Sequence, residues 1–179
     1  MVYVFLGTGF EEMEAIAPID LLRRAGIGVI TVGLNGQTVY GSHNIPITAD
    51  ITIEQMDLTD LDMIVLPGGL GGVRSIKACP KAMDTICFAH ANHKFVAAIC
   101  AAPTILASLH ITDGIPAVCY PGCEEEMGTA VIQQDACIRH DNVITGTSAG
   151  CAVPFALELI SALKGSEVAQ QVASQIVIR

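Results

Sequence analysis

Short runs of aliphatic residues, many of them β-branched, alternate along this chain with longer stretches of helical periodicity. This alternation is typical of a mostly parallel sheet flanked by helices. The runs are apolar at nearly every position, as expected for strands that are buried on both faces. With 179 residues, of which 51% are hydrophobic, the chain is long enough for one substantial core. The sequence therefore predicts an α/β fold with a doubly wound sheet, in a single domain over residues 1–179.

Hydrophobic periodicity and turn residues place the individual elements. Strands are predicted at 2–6, 28–34, 61–66, 95–99 and 117–120, with an antiparallel excursion over 38–53 and two further strands within 130–144. Helices are predicted at 11–25, 73–92, 104–109, 148–163 and 167–175, before an apolar tail at 176–178. Pro18 is expected to kink the first helix, because proline lacks the backbone donor of a helical turn.

Charge and hydropathy exclude two classes of partner. The formal net charge is −9, with only nine lysines and arginines, so a nucleic-acid partner is not expected, since such binding depends on clustered basic residues. The longest apolar stretch, 95–109, is interrupted by polar residues and a proline, and it falls short of a membrane span. The amino-terminal residues read as a first strand and lack the features of a signal peptide. We expect a cytoplasmic protein with no membrane contact.

Seven cysteines are scattered along the chain. In a protein of this size and compartment, reduced thiols are expected and disulfides are not. The pairs Cys119/Cys123 and His90/His93 are candidates for metal binding, but neither has the paired C-x-x-C spacing of a zinc site. No metal and no cofactor is expected.

Ligands of doubly wound sheets bind beyond the carboxyl ends of the strands. Glycines occur at four of the five predicted strand ends: 7–9, 67–69, 120–122 and 145–148. Glycine is expected where backbone approaches a ligand closely. The fifth end carries Cys100, in the sequence VAAICAAPTIL.

Cys100 lies at a predicted sharp turn from a strand into a helix. Small neighbours permit such a turn: alanines at 97, 98, 101 and 102. Pro103 suits the first helical position, and the helix dipole favours the thiolate, which predicts a lowered pKa. The arrangement is typical of a nucleophile elbow. The segment alone is equally consistent with a structural cysteine in an alanine-rich core.

Glu14 distinguishes these alternatives, because it shares an apolar helix face with Ala17, Leu21 and Ala25. A buried carboxyl must be protonated or hydrogen-bonded, and a protonated Glu14 could donate to a nearby thiolate. Glu11 and Glu12 are explained by the helix amino terminus itself.

The pair Gly68-Gly69 is a third candidate feature. Its amides, together with that of Ala101, could form an oxyanion hole for addition to a carbonyl. A plain glycine loop is the alternative.

These segments together resemble the ThiJ/PfpI family, in particular its Parkinsonism-associated deglycase subgroup. The matching motifs are GFEEMEAIAPIDLLRRAG, DMIVLPGG and AAICAAPTIL, in that order over nearly the whole chain. The resemblance implies a flavodoxin-like fold, a homodimer, a reactive Cys100 and a protonated Glu14. It also implies that the oxyanion amides belong to Gly69 and Ala101.

The resemblance also implies a set of possible activities. One hypothesis is an enzyme acting on small reactive carbonyls or glycated adducts, as a glutathione-independent glyoxalase or deglycase, in which the Cys100 thiolate adds to a carbonyl and Glu14 moves protons. Another is a redox-sensing, chaperone-like stress protein whose Cys100 is oxidised to sulfinate. A cysteine hydrolase, peptidase or amidotransferase is a third.

The chain departs from the family pattern at several positions near the expected site. Tyr120 occupies the place of a frequent histidine, which weakens a Cys-His-Glu triad. His43 and Thr147 stand at two positions that are basic in well-known members. His110 is expected at the far end of the helix that follows Cys100.

Overall fold

The computed structural model describes residues 1–178 and contains a seven-stranded, mostly parallel sheet flanked by helices. The strands of this sheet are β1 (Val2–Leu6), β2 (Val29–Gly33), β5 (Ile51–Thr52), β6 (Met63–Leu66), β7 (Phe95–Ile99), β10 (Cys137–His140) and β11 (Val143–Gly146). Their spatial order is β10-β11-β7-β6-β1-β2-β5. Only β10 runs antiparallel, where it pairs with β11 in a hairpin. The predicted doubly wound α/β class is confirmed.

Two small satellite sheets accompany the main one. In the first, β3 (Thr38–Tyr40) pairs antiparallel with β4 (Pro46–Thr48), as the sequence predicts for this excursion. In the second, β8 (Pro116–Ala117) pairs with β9 (Val131–Ile132). The predicted strand at 117–120 is thus shorter than expected and lies outside the main sheet.

Six helices cover the two faces of the main sheet within the described part of the chain. They are α1 (Glu12–Arg24), α2 (Leu70–Lys77), α3 (Pro80–Ala91), α4 (Pro103–Ser108), α5 (Ala152–Lys164) and α6 (Ser166–Gln175). None of them is long and apolar enough to cross a membrane.

Strand alternation divides the core into two layers. Val2, Val4 and Leu6 belong to the layer that packs against α1 and α5. Tyr3 and Phe5 point the other way, toward α2, α3 and α4. The sheet is therefore buried on both faces, as its apolar strands predict.

The prediction of one helix over 73–92 is wrong. The segment forms α2 and α3, because Pro80 begins a new helix at a position that requires no backbone donor. At Pro18, where a kink is expected, α1 continues as one helix from Glu12 to Arg24. The predicted helix at 148–163 starts with a short 3₁₀ turn (Ala149–Cys151) before α5 begins.

Candidate active site

Cys100 lies at the turn between β7 and α4 with a left-handed backbone conformation, φ 66°. A non-glycine residue held in this region stores about 1–3 kcal/mol of strain, which surrounding contacts must maintain. Its amide donates to the Gly146 carbonyl at 2.9 Å, and its carbonyl accepts from the Tyr120 amide at 2.7 Å. Pro103 takes the first helical position as predicted. The half-buried sulfur is presented at the carboxyl edge of the sheet.

Glu14 lies in the first turn of α1 and its side chain is completely buried, at 0% exposure. Its Oε2 accepts a hydrogen bond from the Gly68 amide at 2.8 Å. Its Oε1 has no hydrogen-bond partner among residues 1–178, and its carboxyl interacts with the Cys100 thiol. The Glu11 carboxylate fixes this turn by accepting from the Glu14 amide at 2.8 Å.

Burial raises the pKa of Glu14 to about 7, against the opposing effect of its interaction with the Cys100 thiol and the hydrogen bond from the Gly68 amide. The nearby charge of Glu11 adds a smaller increase. A carboxyl with such a pKa is present in both protonation states near neutral pH, as proton transfer requires.

The expected lowering of the Cys100 pKa is not found. Burial and then the negative charge of Glu14 raise the pKa of Cys100 to about 12. The charge acts only while Glu14 is ionised, so removing a proton from one group makes its removal from the other harder. The two residues therefore form a coupled pair that carries at most one negative charge around neutral pH. Burial also raises the pKa of Cys137 to about 12, so Cys100 is distinguished by its surroundings and not by its pKa alone.

Two backbone amides point at the Cys100 sulfur, those of Ala101 and Gly69, and both lower its pKa. Gly69 has φ 81°, and an added Cβ there would lie 2.5 Å from the Gly9 carbonyl oxygen. At Gly68 an added Cβ would lie 2.6 Å from Glu14 Oε2 and 2.7 Å from the Cys100 Cβ. The glycine pair is thus required for the backbone to approach both side chains. The four residues selected from the sequence, Cys100, Glu14, Gly69 and Ala101, meet at one place.

A cavity of about 520 Å³ opens above the sulfur. Its walls include Glu11, Leu70, Tyr120 and Ala149 in addition to the four residues above. A larger cavity of about 680 Å³ lies at the amino ends of β7 and β11, between His90 and Asp141. Its lining contains no cysteine, serine or threonine, so the smaller cavity, which holds Cys100, is the better candidate for thiol chemistry.

The remaining polar residues considered from the sequence lie in different environments. Tyr120 borders the cavity. Thr147 donates its hydroxyl to the Asp135 carbonyl at 2.6 Å, and His110 bonds Asp113 beyond the end of α4, as expected. His90/His93 and Cys119/Cys123 do not belong to any close group of three ligating side chains in the described structure.

Sequence reasoning missed the role of Glu12, whose side chain is buried at 7% exposure. Its Oε1 accepts from the His43 amide at 2.7 Å, and its Oε2 pairs with the His43 ring at 2.8 Å and accepts from Ser42 at 3.0 Å. Burial alone would raise the pKa of Glu12, but these hydrogen bonds outweigh it and lower the pKa to about 2. His43 therefore anchors the first turn of α1 and is not among the residues that border the cavity.

Comparison with known proteins agrees with this arrangement. The DJ-1/PfpI family model matches residues 1–162. The chain belongs to the DJ-1/PfpI family. It is 35% identical over 178 residues to protein dj-1beta of Drosophila melanogaster, covering 98% of this chain and 95% of the relative.

Two further similarities extend the comparison to structure and to a named activity. The crystal structure of Drosophila melanogaster DJ-1beta superposes with a TM-score of 0.95 at 35% identity, covering 99% of this chain and 97% of that one. The glutathione-independent glyoxalase DJR-1.2 of Caenorhabditis elegans is 29% identical over 162 residues, covering 88% of this chain and 84% of the relative. The resemblance inferred from the motifs is confirmed, as is the DJ-1-type fold.

Proposed function

We propose that this protein is a cysteine-dependent enzyme that acts on reactive carbonyls, with the activity of a glutathione-independent glyoxalase. The observation that carries the proposal is the convergence at Cys100 of a buried, unpartnered carboxyl oxygen of Glu14 and the amides of Gly69 and Ala101. The name of the Caenorhabditis elegans relative supports the same chemistry.

The first step is addition of the sulfur to the aldehyde carbon of an α-oxoaldehyde. The thiol proton passes to Glu14 as the S–C bond forms, and the aldehyde oxygen gains the electron pair of its broken π bond. The Gly69 and Ala101 amides stabilise this developing oxyanion. Glu14 then returns the proton to the oxygen, which gives a hemithioacetal.

The second step is an internal proton transfer. Glu14 removes the proton from the former aldehyde carbon and returns it to the adjacent ketone carbon. The hydroxyl proton of the hemithioacetal moves to the former ketone oxygen, so that a hydroxyacyl thioester of Cys100 results. Water hydrolyses the thioester, releasing a 2-hydroxy acid and restoring the thiol. The reaction consumes one water and no external oxidant, because one carbon is oxidised as its neighbour is reduced. Glycated adducts that retain a carbonyl are a related substrate class.

A redox-sensing role is the second candidate, favoured by the same buried oxygen. A peroxide would oxidise the Cys100 thiol to sulfinate in two steps, each releasing water from the peroxide. A protonated Glu14 would then donate to a sulfinate oxygen. A hydrolase, peptidase or amidotransferase is less well supported, because Tyr120 borders the cavity where such a mechanism needs a histidine base.

We further propose that the protein is a cytoplasmic homodimer, as members of this family are commonly dimeric. The exposed apolar side chains of Met13 and Ile16 on α1 offer a surface for a two-fold contact. Light scattering should give about twice the chain mass of 18.8 kDa, and a monomer mass would contradict the dimer.

The function is tested by measuring lactate formation from methylglyoxal with purified protein in the absence of glutathione. Turnover that disappears in Cys100→Ser is expected. Turnover that persists in Cys100→Ser, or is absent from the reduced wild-type protein, would contradict the enzyme proposal. In the second case, a sulfinate at Cys100 after mild peroxide treatment would favour the sensor.

A further inference from the structure

The entrance of the cavity above Cys100 presents apolar side chains. Leu70, the first residue of α2, is 68% exposed, and Tyr120 is 48% exposed. Both border the cavity, together with Ala149 and Ala101. A ligand that reaches the sulfur must therefore pass along aliphatic and aromatic surface, which an apolar substituent would cover.

The ionisable groups of the cavity are acidic. Glu11 and Glu14 line it, and the described lining contains no lysine, arginine or histidine. A candidate cation outside the lining is His43, whose ligating atom lies within 4.8 Å of those of Glu11 and Glu12. Its ring is paired with Glu12 at 2.8 Å, so these three side chains sum to a negative charge even when the imidazole is protonated. An anionic ligand would meet repulsion that nothing in the cavity offsets.

We propose that this site selects neutral carbonyl compounds with an aryl or bulky alkyl substituent and discriminates against anionic carbonyls, such as 2-oxo acids and sugar phosphates. Leu70 and Tyr120 supply the apolar selection, and Glu11 supplies the charge selection. As a statement about substrates it rests on the proposed function. As a statement about which molecules reach Cys100, it does not require turnover.

Alkylation of Cys100 tests directly which molecules reach the sulfur. Three reagents are compared, and in each the sulfur displaces iodide in the same way. Iodoacetate is anionic, iodoacetamide is neutral and N-phenyliodoacetamide is neutral and aromatic. Rates are measured by mass spectrometry of the Cys100 peptide and divided by those of 2-mercaptoethanol. After this division, we expect the rate with iodoacetate to be at least about tenfold lower than the rate with iodoacetamide. We expect the rate with N-phenyliodoacetamide to be higher than that with iodoacetamide by a similar factor. Ratios equal to those of the free thiol would overturn the proposal.

Single substitutions with matched controls show which side chains cause the charge selection and which cause the apolar selection. Glu11→Gln keeps an oxygen that can accept from the Glu14 amide but removes the charge, and it should restore most of the iodoacetate rate. Glu167→Gln, which removes a carboxylate from the first turn of α6, is the control and should change neither ratio. Added salt should likewise reduce the discrimination in the wild-type protein, a measurement that needs no variant. Discrimination that survives both Glu11→Gln and high salt would overturn the charge selection.

Leu70→Ala and Tyr120→Ala should each reduce the preference for the aromatic reagent several-fold. Phe88→Ala removes an exposed aromatic side chain from α3, away from the cavity, and should leave the preference unchanged. An equal effect of all three variants would overturn the assignment to the cavity entrance.

Turnover then extends the result to substrates. The ratio of kcat/KM for phenylglyoxal to that for 4-carboxyphenylglyoxal, its anionic analogue with the same α-oxoaldehyde group, should exceed the ratio of their reactions with 2-mercaptoethanol by at least about tenfold. Turnover without this preference would overturn the inference and leave the proposed function intact. Absence of all turnover with the alkylation preferences preserved would overturn the proposed function and leave the selection of ligands standing.

Discussion

Glu12 and Glu14 are two buried carboxyls in the same turn of α1, and their surroundings shift them in opposite directions. The pKa of Glu12 is lowered to about 2, and that of Glu14 is raised to about 7. Burial raises both pKa values, and Glu14 is the more deeply buried of the two. Their hydrogen bonds add to this difference. Both oxygens of Glu12 have hydrogen-bond partners from the 41–43 loop, whereas Oε1 of Glu14 has none in the described structure.

The opposite pKa shifts indicate that one carboxylate stabilises the fold and that the other can exchange a proton. Glu12 is permanently ionised near neutral pH and ties α1 to the loop after β3. Glu14 has an available oxygen beside the Cys100 thiol and a pKa near the operating pH, which is the combination expected of a proton-transfer group. Hydrogen-bond satisfaction and depth of burial together distinguish the two.

The largest expected effect is that of Glu14→Gln on catalysis. The amide can still accept from Gly68 but does not exchange a proton in the working pH range, so kcat/KM for an α-oxoaldehyde should fall by about 10²–10⁴-fold. The variant should remain folded, as circular dichroism would verify. Steady-state kinetics showing a loss below about tenfold would place Glu14 outside the proton-transfer step.

The converse variant, Glu12→Gln, should affect stability more than chemistry. It weakens charge-assisted hydrogen bonds to His43 and Ser42, and because solvent partly screens this shallow site, we expect a loss of about 1–2 kcal/mol in the free energy of unfolding. Urea denaturation measures the loss, with Glu167→Gln as a control expected to change stability by less than about 0.5 kcal/mol. If kcat/KM fell as far as in Glu14→Gln, the division of roles would be wrong.

The ionisation of Glu12 and that of Glu14 should each make the free energy of unfolding depend on pH, with opposite signs. For Glu12 the folded pKa is lower than its ordinary 4.5, so its contribution is present above pH 4.5 and is lost as the pH falls toward 2. For Glu14 the folded pKa is higher, so ionisation costs stability as the pH rises from 4.5 to about 7, by at most about 3 kcal/mol. In Glu14→Gln, denaturation measured across this range should not show the loss of stability between pH 4.5 and about 7. If the loss is unchanged, the raised pKa does not belong to Glu14.

Most of the site could be predicted from local sequence, because its chemistry depends on short-range geometry. Alanines around Cys100 and the following Pro103 indicate the sharp turn, and the observed φ of 66° agrees. Gly68 and Gly69 are required where backbone meets the two reactive side chains. Glu14 was recognised because its neighbours at helical spacing are apolar.

The features that sequence did not reveal depend on distant contacts or on coupling. The Glu12–His43 pairing joins residues 31 positions apart, and nothing local distinguishes Glu12 from an ordinary carboxylate at a helix start. The direction of the Cys100 pKa shift was wrong because the negative charge of Glu14 and burial exceed the effect of the amides. The division of 73–92 into two helices was missed although Pro80 marks it, since the periodicity continues across the break.

A smaller effect is expected from His43→Asn. The ring no longer pairs with Glu12, so the pKa of Glu12 should rise, but the backbone amide at this position still donates to Glu12 Oε1. The loss of stability should therefore be less than that of Glu12→Gln, as urea denaturation of both variants would measure. A greater loss would show that the histidine has contacts beyond this pair that contribute to stability.

The most direct test of the contrast is a pH titration of both carboxyl carbons by NMR, in one sample of protein labelled at glutamate. The resonances are assigned from the spectra of Glu12→Gln and Glu14→Gln. We predict that Glu14 titrates near pH 7 and that Glu12 stays ionised down to about pH 2. Removing the thiol in Cys100→Ala should move the Glu14 midpoint and leave that of Glu12 unchanged. Two midpoints near the ordinary value of 4.5, or a Glu14 midpoint that does not respond to Cys100→Ala, would contradict the account.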